Sequence, residues 1–93
     1  MITENTYFEG NVKSLGYETG EGKSTVGVIN AGEYTFGTAQ LEVMYVIEGT
    51  LTVHLPHEME WKTFEKGSHF TVPANSSFSV KTLVQTAYLC QYR

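Results

Sequence analysis

The sequence has few basic residues and a single cysteine, and each shortage excludes a class of protein. Six Lys and Arg residues against ten Asp and Glu residues give a net charge of -4, and the six are scattered along the chain. Nucleic-acid surfaces need clustered Lys and Arg to neutralise phosphates, so we expect no nucleic-acid partner. Cys90 has no second cysteine to pair with, so the fold must hold without an internal disulfide.

Long apolar runs are also missing. No stretch approaches the roughly 20 apolar residues of a membrane-spanning helix, so we expect no membrane partner. The first ten residues, MITENTYFEG, have neither the basic start nor the apolar centre of a signal peptide. We therefore expect a cytoplasmic protein, with residues 1–93 forming one domain.

What the sequence does contain is a series of short alternating runs, broken every few residues by Gly, Asn, Ser or Pro. This pattern is typical of an all-β protein, and apolar spacing of the helical type persists nowhere. The polar stretch Thr19–Lys23 is predicted to be a turn. The predicted strands are Asn11–Glu18, Ser24–Asn30, Glu33–Phe36, Leu41–Glu48, Thr50–Leu55, Met59–Phe64, Ser68–Val72, Ser77–Leu83 and Thr86–Tyr92.

One acidic residue, Glu42, lies in an apolar setting near the middle of the chain. Its neighbours include Met44 and Tyr45, and Gly49 follows at a predicted tight turn. A buried and unpaired carboxylate is costly, so such a residue usually has a partner or a function. Glu42 is therefore the first candidate for a catalytic residue.

Two spacings in the chain resemble the two motifs of the cupin family. Glu42 and Gly49 match the E-x6-G end of the first motif, and Gly67 and Pro73 match the G-x5-P of the second. The resemblance implies a fold of the cupin type, a small double-stranded β-helix (jelly-roll) barrel.

The metal ligands of the cupin motifs are not matched. The positions of the family's three histidines fall on Phe36, Thr38 and Phe78, so of the four expected ligands only Glu42 remains. A catalytic transition metal usually needs at least three protein ligands, and we therefore expect no metal and no cofactor. A metal-dependent isomerase or dioxygenase fails for the same reason. The histidines that are present lie elsewhere, at His54, His57 and His69.

A larger set of residues spans nearly the whole chain, through Val12-Lys13-Ser14, Gly32–Phe36, Glu42, Gly49, Leu55-Pro56, Val72-Pro73 and Tyr88–Tyr92. This set resembles the small bacterial pyrimidine/purine nucleoside phosphorylases of cupin fold. The resemblance implies phosphorolysis, in which nucleosides of broad base type and inorganic phosphate give free base and ribose 1-phosphate.

The chemistry of phosphorolysis suggests roles for some of these residues. Cleavage of the glycosidic bond builds positive charge on the sugar, which Glu42 could stabilise as the catalytic carboxylate. Phosphate needs a cation or backbone N–H groups, and Lys13 and Arg93 are the candidates. The other four lysines look like turn or outward residues. Aromatic walls stack bases without reading their edges, and the candidates on the substrate are Tyr34, Phe36, Phe78 and Tyr88, with Thr38 beside them.

Most of these residues also have a structural alternative. Glu42 could be a remnant of the metal site held by Thr38 or a tyrosine hydroxyl, and the two Phe residues could be plain core. Lys13 and Arg93 could be solvated, and Cys90 an inert buried thiol. For the whole protein, the alternative is a non-enzymatic cupin that binds a nucleoside or a sugar.

The far side of the Glu42 strand predicts self-association. Val43, Tyr45 and Ile47 alternate with Glu42 and should point away from the barrel interior. Since a small domain gains from burying such residues, we expect a homodimer.

Overall fold

The computed structural model describes all 93 residues as ten β-strands and one short 3-10 turn, Phe8–Gly10. It contains no helix that is long and apolar enough to cross a membrane. The strands are β1 (Thr3–Tyr7), β2 (Val12–Thr19), β3 (Gly22–Ile29), β4 (Gly32–Gly37), β5 (Glu42–Glu48), β6 (Thr50–His54), β7 (Lys62–Glu65), β8 (His69–Val72), β9 (Ser77–Thr82) and β10 (Thr86–Tyr92).

The strands form two antiparallel sheets with the core between them. The six-stranded sheet has the order β1-β2-β3-β10-β5-β8, and the four-stranded sheet has the order β4-β9-β6-β7. Both sheets contribute to one core cluster, for example through Val12 and Val46 from the first and Leu51 and Val80 from the second, all at most 1% exposed. The all-β prediction is confirmed.

Side chains alternate between the core and the outside along each strand, as the pleat of a strand requires. On β5, Glu42, Met44 and Val46 are buried, whereas Tyr45 is half-buried and Ile47 exposed on the outer face. The predicted orientation of this strand is therefore correct, and it places the Glu42 side chain between the two sheets.

The hairpin between β5 and β6 depends on a glycine. Gly49 has φ +97°, and a Cβ atom at this position would collide with Thr86 Oγ1. That hydroxyl accepts a hydrogen bond from Thr50 N (3.2 Å) and donates to Thr50 O (3.0 Å), so it closes the turn from the neighbouring strand β10. Only glycine combines the positive φ with the missing side chain.

Two predicted elements differ from the structure. The strand predicted at Met59–Phe64 begins only at Lys62, and Met59 is almost fully exposed, so its alternation with Trp61 marked no buried face. The polar turn predicted over Thr19–Lys23 is shorter, because Thr19 already pairs with Gly22 across a two-residue turn. Lys23 therefore belongs to strand β3.

The segment before Asn11 was not predicted to be structured. It forms strand β1, which pairs along β2 from Thr3↔Gly16 to Tyr7↔Val12. The 3-10 turn that follows brings Phe8 over the end of the barrel, with Phe8 and Glu9 at positive φ of 51° and 60°.

Candidate active site

A cavity of about 760 Å³ lies between the sheets and opens beside the N-terminal segment. Cavities of this size are typical of sites for small organic ligands. Ten of its sixteen lining residues are hydrophobic. Glu42 is the only acidic residue among them and Lys23 the only basic one, so the polar chemistry of the cavity depends on few groups.

The six-stranded sheet supplies the polar wall of the cavity. Tyr92 on β10 lies directly opposite Glu42 on β5, and Cys90 pairs with Met44. Because alternate residues share a face, Tyr88, Cys90 and Tyr92 all lie on the cavity side of β10. The register of two neighbouring strands thus gathers three titratable side chains around the carboxylate.

Glu42 is 9% exposed, and its carboxylate has one side-chain partner, Cys90. Cys90 Sγ donates a hydrogen bond to Glu42 Oε1 over 3.4 Å. Sequence reasoning proposed Thr38 or a tyrosine hydroxyl as this partner. Thr38 Oγ1 instead donates to Pro73 O (2.7 Å), because it fastens the end of β4 to the turn before β9.

Burial shifts the pKa values of this wall upward. It raises the pKa of the Glu42 carboxyl, and the hydrogen bond from Cys90 offsets part of the rise. Burial raises the pKa of Tyr88 to about 12 and raises the pKa of Tyr92 still further. The pKa of the Cys90 thiol also rises far above its usual range, through burial and then through the nearby Glu42 charge. Near neutral pH these three groups are therefore protonated donors.

The four-stranded sheet supplies an aromatic wall. Phe36 on β4 pairs with Phe78 on β9, and their rings stack with centroids 5.6 Å apart. Phe8 packs edge-on against Phe36 at 5.5 Å, and Tyr7 beside it also lines the cavity. Phe78 is 3% exposed, whereas Phe36 is half-buried and presents part of its ring.

Several residues predicted to bind substrate lie away from the cavity. Tyr34 is buried, but its hydroxyl donates to the Asn30 and Ala31 carbonyls at 3.0 and 3.2 Å and so closes a turn. The Thr38 hydroxyl is engaged in its hydrogen bond to Pro73 O. Lys13 is exposed on the outer face of β2, because it alternates with the buried Val12 and Ser14. Of the residues proposed for substrate, the cavity is lined by Phe36, Phe78 and Tyr88, together with the catalytic candidate Glu42.

Arg93 lies at the rim of the cavity rather than inside it. Its Nη1 donates to the backbone carbonyls of Lys23 (3.0 Å) and Tyr92 (2.8 Å). These bonds hold the guanidinium against the ends of β3 and β10. Arg93 therefore lies close to the polar wall without lining the cavity.

The donors in the cavity do not fit a metal ion. No group of three or more His, Cys, Asp and Glu side chains lies close enough to hold one. Phe36 and Phe78, which occupy two of the positions of the cupin histidines, fill that part of the cavity with rings that cannot ligate. Glu42 has only a protonated thiol beside it.

Sequence reasoning missed four features of this site. The sequence alone indicates an inert buried thiol at Cys90 and assigns no role in the site to Tyr92, Phe8 or Lys23. The alternation of side chains along a strand does indicate Lys23, because it is two residues before Thr25 and four before Gly27, which lie on the inward face of β3. Phe8 gave no such signal, since it lies in a turn without periodicity.

The two packed antiparallel sheets define the class of fold. Its fold is similar to that of an RmlC-like cupin from Shewanella frigidimarina, with a TM-score of 0.78, 17% identity, and coverage of 99% of this chain and 83% of that one. The fold is therefore that of a cupin, as the two motif spacings predicted.

The particular family follows from closer relatives. The family model described as pyrimidine/purine nucleoside phosphorylase matches residues 2–92. A protein of that name from Pseudomonas fluorescens strain Pf0-1 is 56% identical, over 100% of this chain and 99% of its own. One from Pseudomonas paraeruginosa is 57% identical over both whole chains. The chain belongs to the pyrimidine/purine nucleoside phosphorylase family.

A solved structure from Vibrio parahaemolyticus, described as a protein of unknown function, has the same architecture. It is 46% identical, has a TM-score of 0.96, and the match covers 100% of this chain and 99% of that one. All ten strands described above therefore lie within a fold that an experimental structure shares.

Proposed function

We propose that this chain catalyses the phosphorolysis of purine and pyrimidine nucleosides in the cavity between its sheets. A phosphate oxygen forms a bond to the anomeric carbon while the glycosidic C–N bond breaks. The base leaves with that electron pair and takes up a proton, and the products are free base and ribose 1-phosphate. The observation that carries the proposal, beside family membership, is a single buried carboxylate facing a pair of stacked aromatic rings.

Glu42 is the catalytic residue in this proposal. As the C–N bond lengthens, positive charge develops on the ribose, and a carboxylate held nearby stabilises it more strongly than it stabilises the neutral nucleoside. Burial strengthens this interaction because little water screens it. The hydrogen bond from Cys90 fixes one oxygen, Oε1, and leaves the other free for the sugar.

The aromatic wall binds the base. Stacking on Phe36, whose ring is supported from behind by Phe78, uses the flat face that every purine and pyrimidine has, so it tolerates many bases. Tyr88 and Tyr92 remain protonated and offer hydroxyl donors from the opposite wall. A hydroxyl can both donate and accept a hydrogen bond, so these tyrosines could pair with different bases, which fits broad specificity.

The reaction in this proposal needs no metal. Glu42 stabilises the positive charge that develops on the sugar, and the residues of the cavity offer no set of three metal ligands. Chelation should therefore leave the activity unchanged.

The direct test is release of free base from uridine, cytidine, adenosine and inosine, with and without phosphate, after treatment with a chelator. We expect release that requires phosphate and survives the chelator. Release without phosphate would indicate a hydrolase. Binding of nucleoside without any release would indicate a non-enzymatic cupin, and loss of activity on chelation would contradict the metal-free reaction.

We also propose that the protein is a cytoplasmic homodimer. The outer face of the six-stranded sheet carries exposed apolar residues in neighbouring strands, where Leu15 pairs with Val26 and Lys13 with Val28. A second copy of the chain suits this face because a twofold interface buries the same patch on both copies. Sedimentation should give the dimer mass for the wild type and the monomer mass for Val26→Glu. A wild-type monomer at micromolar concentration would contradict the dimer.

A further inference from the structure

We infer that Lys23 binds the phosphate substrate at the mouth of the cavity, beside Tyr92. This inference rests on the phosphorolysis proposed above, because it names the position of the second substrate. Phosphate is an anion, and proteins bind it through cations or through clustered backbone N–H groups.

The other five cations of the chain are engaged or lie elsewhere. Lys62 Nζ pairs with Glu58 at 3.0 Å, and Lys81 Nζ lies 4.2 Å from the centre of the Trp61 ring. Lys13 lies on the outer face of the sheet, and Lys66 lies in the turn before β8. The Arg93 guanidinium donates to two carbonyls at the rim. Only Lys23 lines the cavity.

The pleat of β3 directs Lys23 toward the cavity. It shares its face of the strand with Thr25, Gly27 and Ile29, all of which are buried. Lys23 itself is exposed because it lies where the strand leaves the barrel. Its aliphatic stem can therefore follow the cavity wall while its ammonium group stays in contact with water, ready for an anion.

The register also fixes the distance between Lys23 and Glu42. Strand β10 lies between β3 and β5, where Gln91 pairs with Ser24 and Tyr92 pairs with Glu42. Lys23 precedes Ser24, the first residue of β3 that is paired with β10, and lies two strands away from Glu42. Two interstrand spacings separate the two backbones by about 10 Å. Tyr92 lies on the strand between them and on the same face, so in this arrangement its side chain borders the space that the ribose would occupy.

A second cavity adjoins the first, and its lining includes Lys23 and the cross-strand partner of this lysine, Glu18. It has a volume of about 720 Å³ and shares Lys23, Gln40 and Tyr92 with the first. The lysine and the Gln40 amide, which can also donate to phosphate, therefore lie where the two spaces meet. The bond from Arg93 Nη1 to the Lys23 carbonyl fixes the backbone there and brings a second positive charge to the same rim. In this proposal, phosphate enters along the second cavity while a nucleoside fills the main cavity.

The test is Lys23→Met, with the KM for phosphate and the KM for nucleoside measured separately. A charged hydrogen bond to phosphate predicts a rise of about tenfold or more in the KM for phosphate, with the KM for nucleoside within about twofold. Lys23→Arg keeps the charge and should recover most of the affinity. Lys13→Met is the matched control, because it makes the same change on the outer face of the neighbouring strand and should alter neither constant.

An unchanged KM for phosphate in Lys23→Met, or an equal loss in Lys13→Met, would overturn the inference. If the wild type releases no base, the proposed reaction fails, and binding of inorganic phosphate alone then tests Lys23. Phosphorus NMR titration should show binding to the wild type and loss of that binding in Lys23→Met. No binding to the wild type, or equal binding to both proteins, would overturn the assignment of Lys23.

Discussion

The two sheets build opposite walls of one cavity from different chemistry. The six-stranded sheet contributes every ionisable group that lines the cavity: Glu42 on β5, Tyr88, Cys90 and Tyr92 on β10, Lys23 on β3 and Tyr7 on β1. The four-stranded sheet contributes Phe36 and Phe78 and no ionisable side chain. The charged and the aromatic side chains therefore lie on separate sheets. A substitution can change one of these two sets and leave the side chains of the other set in the sequence.

The two walls also contribute to stability in opposite ways. Burial of the aromatic pair removes apolar surface from water and stabilises the fold. Burial of Glu42 opposes folding at neutral pH, because the charged form loses its hydration and gains only a weak thiol donor. The buried carboxylate thus costs stability, whereas the aromatic pair adds to it.

The largest effect should come from the charge of the polar wall. Glu42→Gln keeps the shape and removes the carboxylate, so kcat should fall by about a hundredfold or more if the charge stabilises the transition state. Glu48→Gln is the matched control, because Glu48 lies on the same strand but is exposed and outside the cavity. Initial rates at saturating nucleoside and phosphate measure the change. Turnover unchanged by Glu42→Gln would make this residue structural.

A change in the aromatic wall should affect binding instead of turnover. Phe36→Leu keeps an apolar side chain but removes the stacking face, and the KM for nucleoside should rise about tenfold with little change in kcat. Phe64→Leu is the control, since Phe64 is also half-buried and packs on Phe70 (4.7 Å) outside the cavity. Equal effects of the two substitutions would mean that Phe36 acts only through packing.

The pH dependence of stability should reveal the cost of burying Glu42. An acid with a raised pKa binds more protons in the folded state, so its contribution to stability is greatest below about pH 4.5 and is lost as the pH rises through the folded-state pKa. Glu42→Gln removes this loss. The variant should therefore have a higher Tm than the wild type near neutral pH, with the gain disappearing in acid. Thermal unfolding from about pH 4 to pH 8 measures it. A gain that persists in acid would point to another cause.

The smallest effect should come from the thiol beside the carboxylate. The Cys90 hydrogen bond lowers the pKa of Glu42, so Cys90→Ala should move the acidic limb of the kcat/KM profile to higher pH. Well above that limb the rate should change by less than about threefold, because a neutral hydrogen bond contributes little. Cys90→Ser retains a donor and should keep the limb near its wild-type position. A limb that stays in place in Cys90→Ala would show that the thiol does not act on Glu42.

Much of the fold was predictable because alternation and turn residues carry it. Gly49 and Gly67 marked turns that do have positive φ, and Glu42, Met44 and Val46 face inward as their spacing indicates. Strand β1 could not be found in this way. Residues Thr3–Tyr7 are mostly exposed and are held by backbone pairing to β2, so hydrophobicity gave no signal.

The sequence predicted only those residues of the candidate site whose own type or motif position marks them. Glu42 stood out as a carboxylate among apolar neighbours, and Phe36 and Phe78 stood at motif positions. The predicted turn Thr19–Lys23 includes Lys23, whereas the structure places this residue in strand β3. The alternation of side chains was therefore not applied to it. Cys90 was missed because its role depends on register, and the contact with Glu42 joins residues on different strands.

The position of β10 in the sheet determines when the six-stranded sheet can form during synthesis of the chain. This strand is the last of the ten along the chain, yet it joins β3 to β5 in the middle of the six-stranded sheet. Until β10 has emerged from the ribosome, the β1-β2-β3 and β5-β8 parts of the sheet are not joined by strand pairing. Since Tyr88, Cys90 and Tyr92 arrive on the same strand, a nascent chain completes its sheet and its polar wall in a single late step.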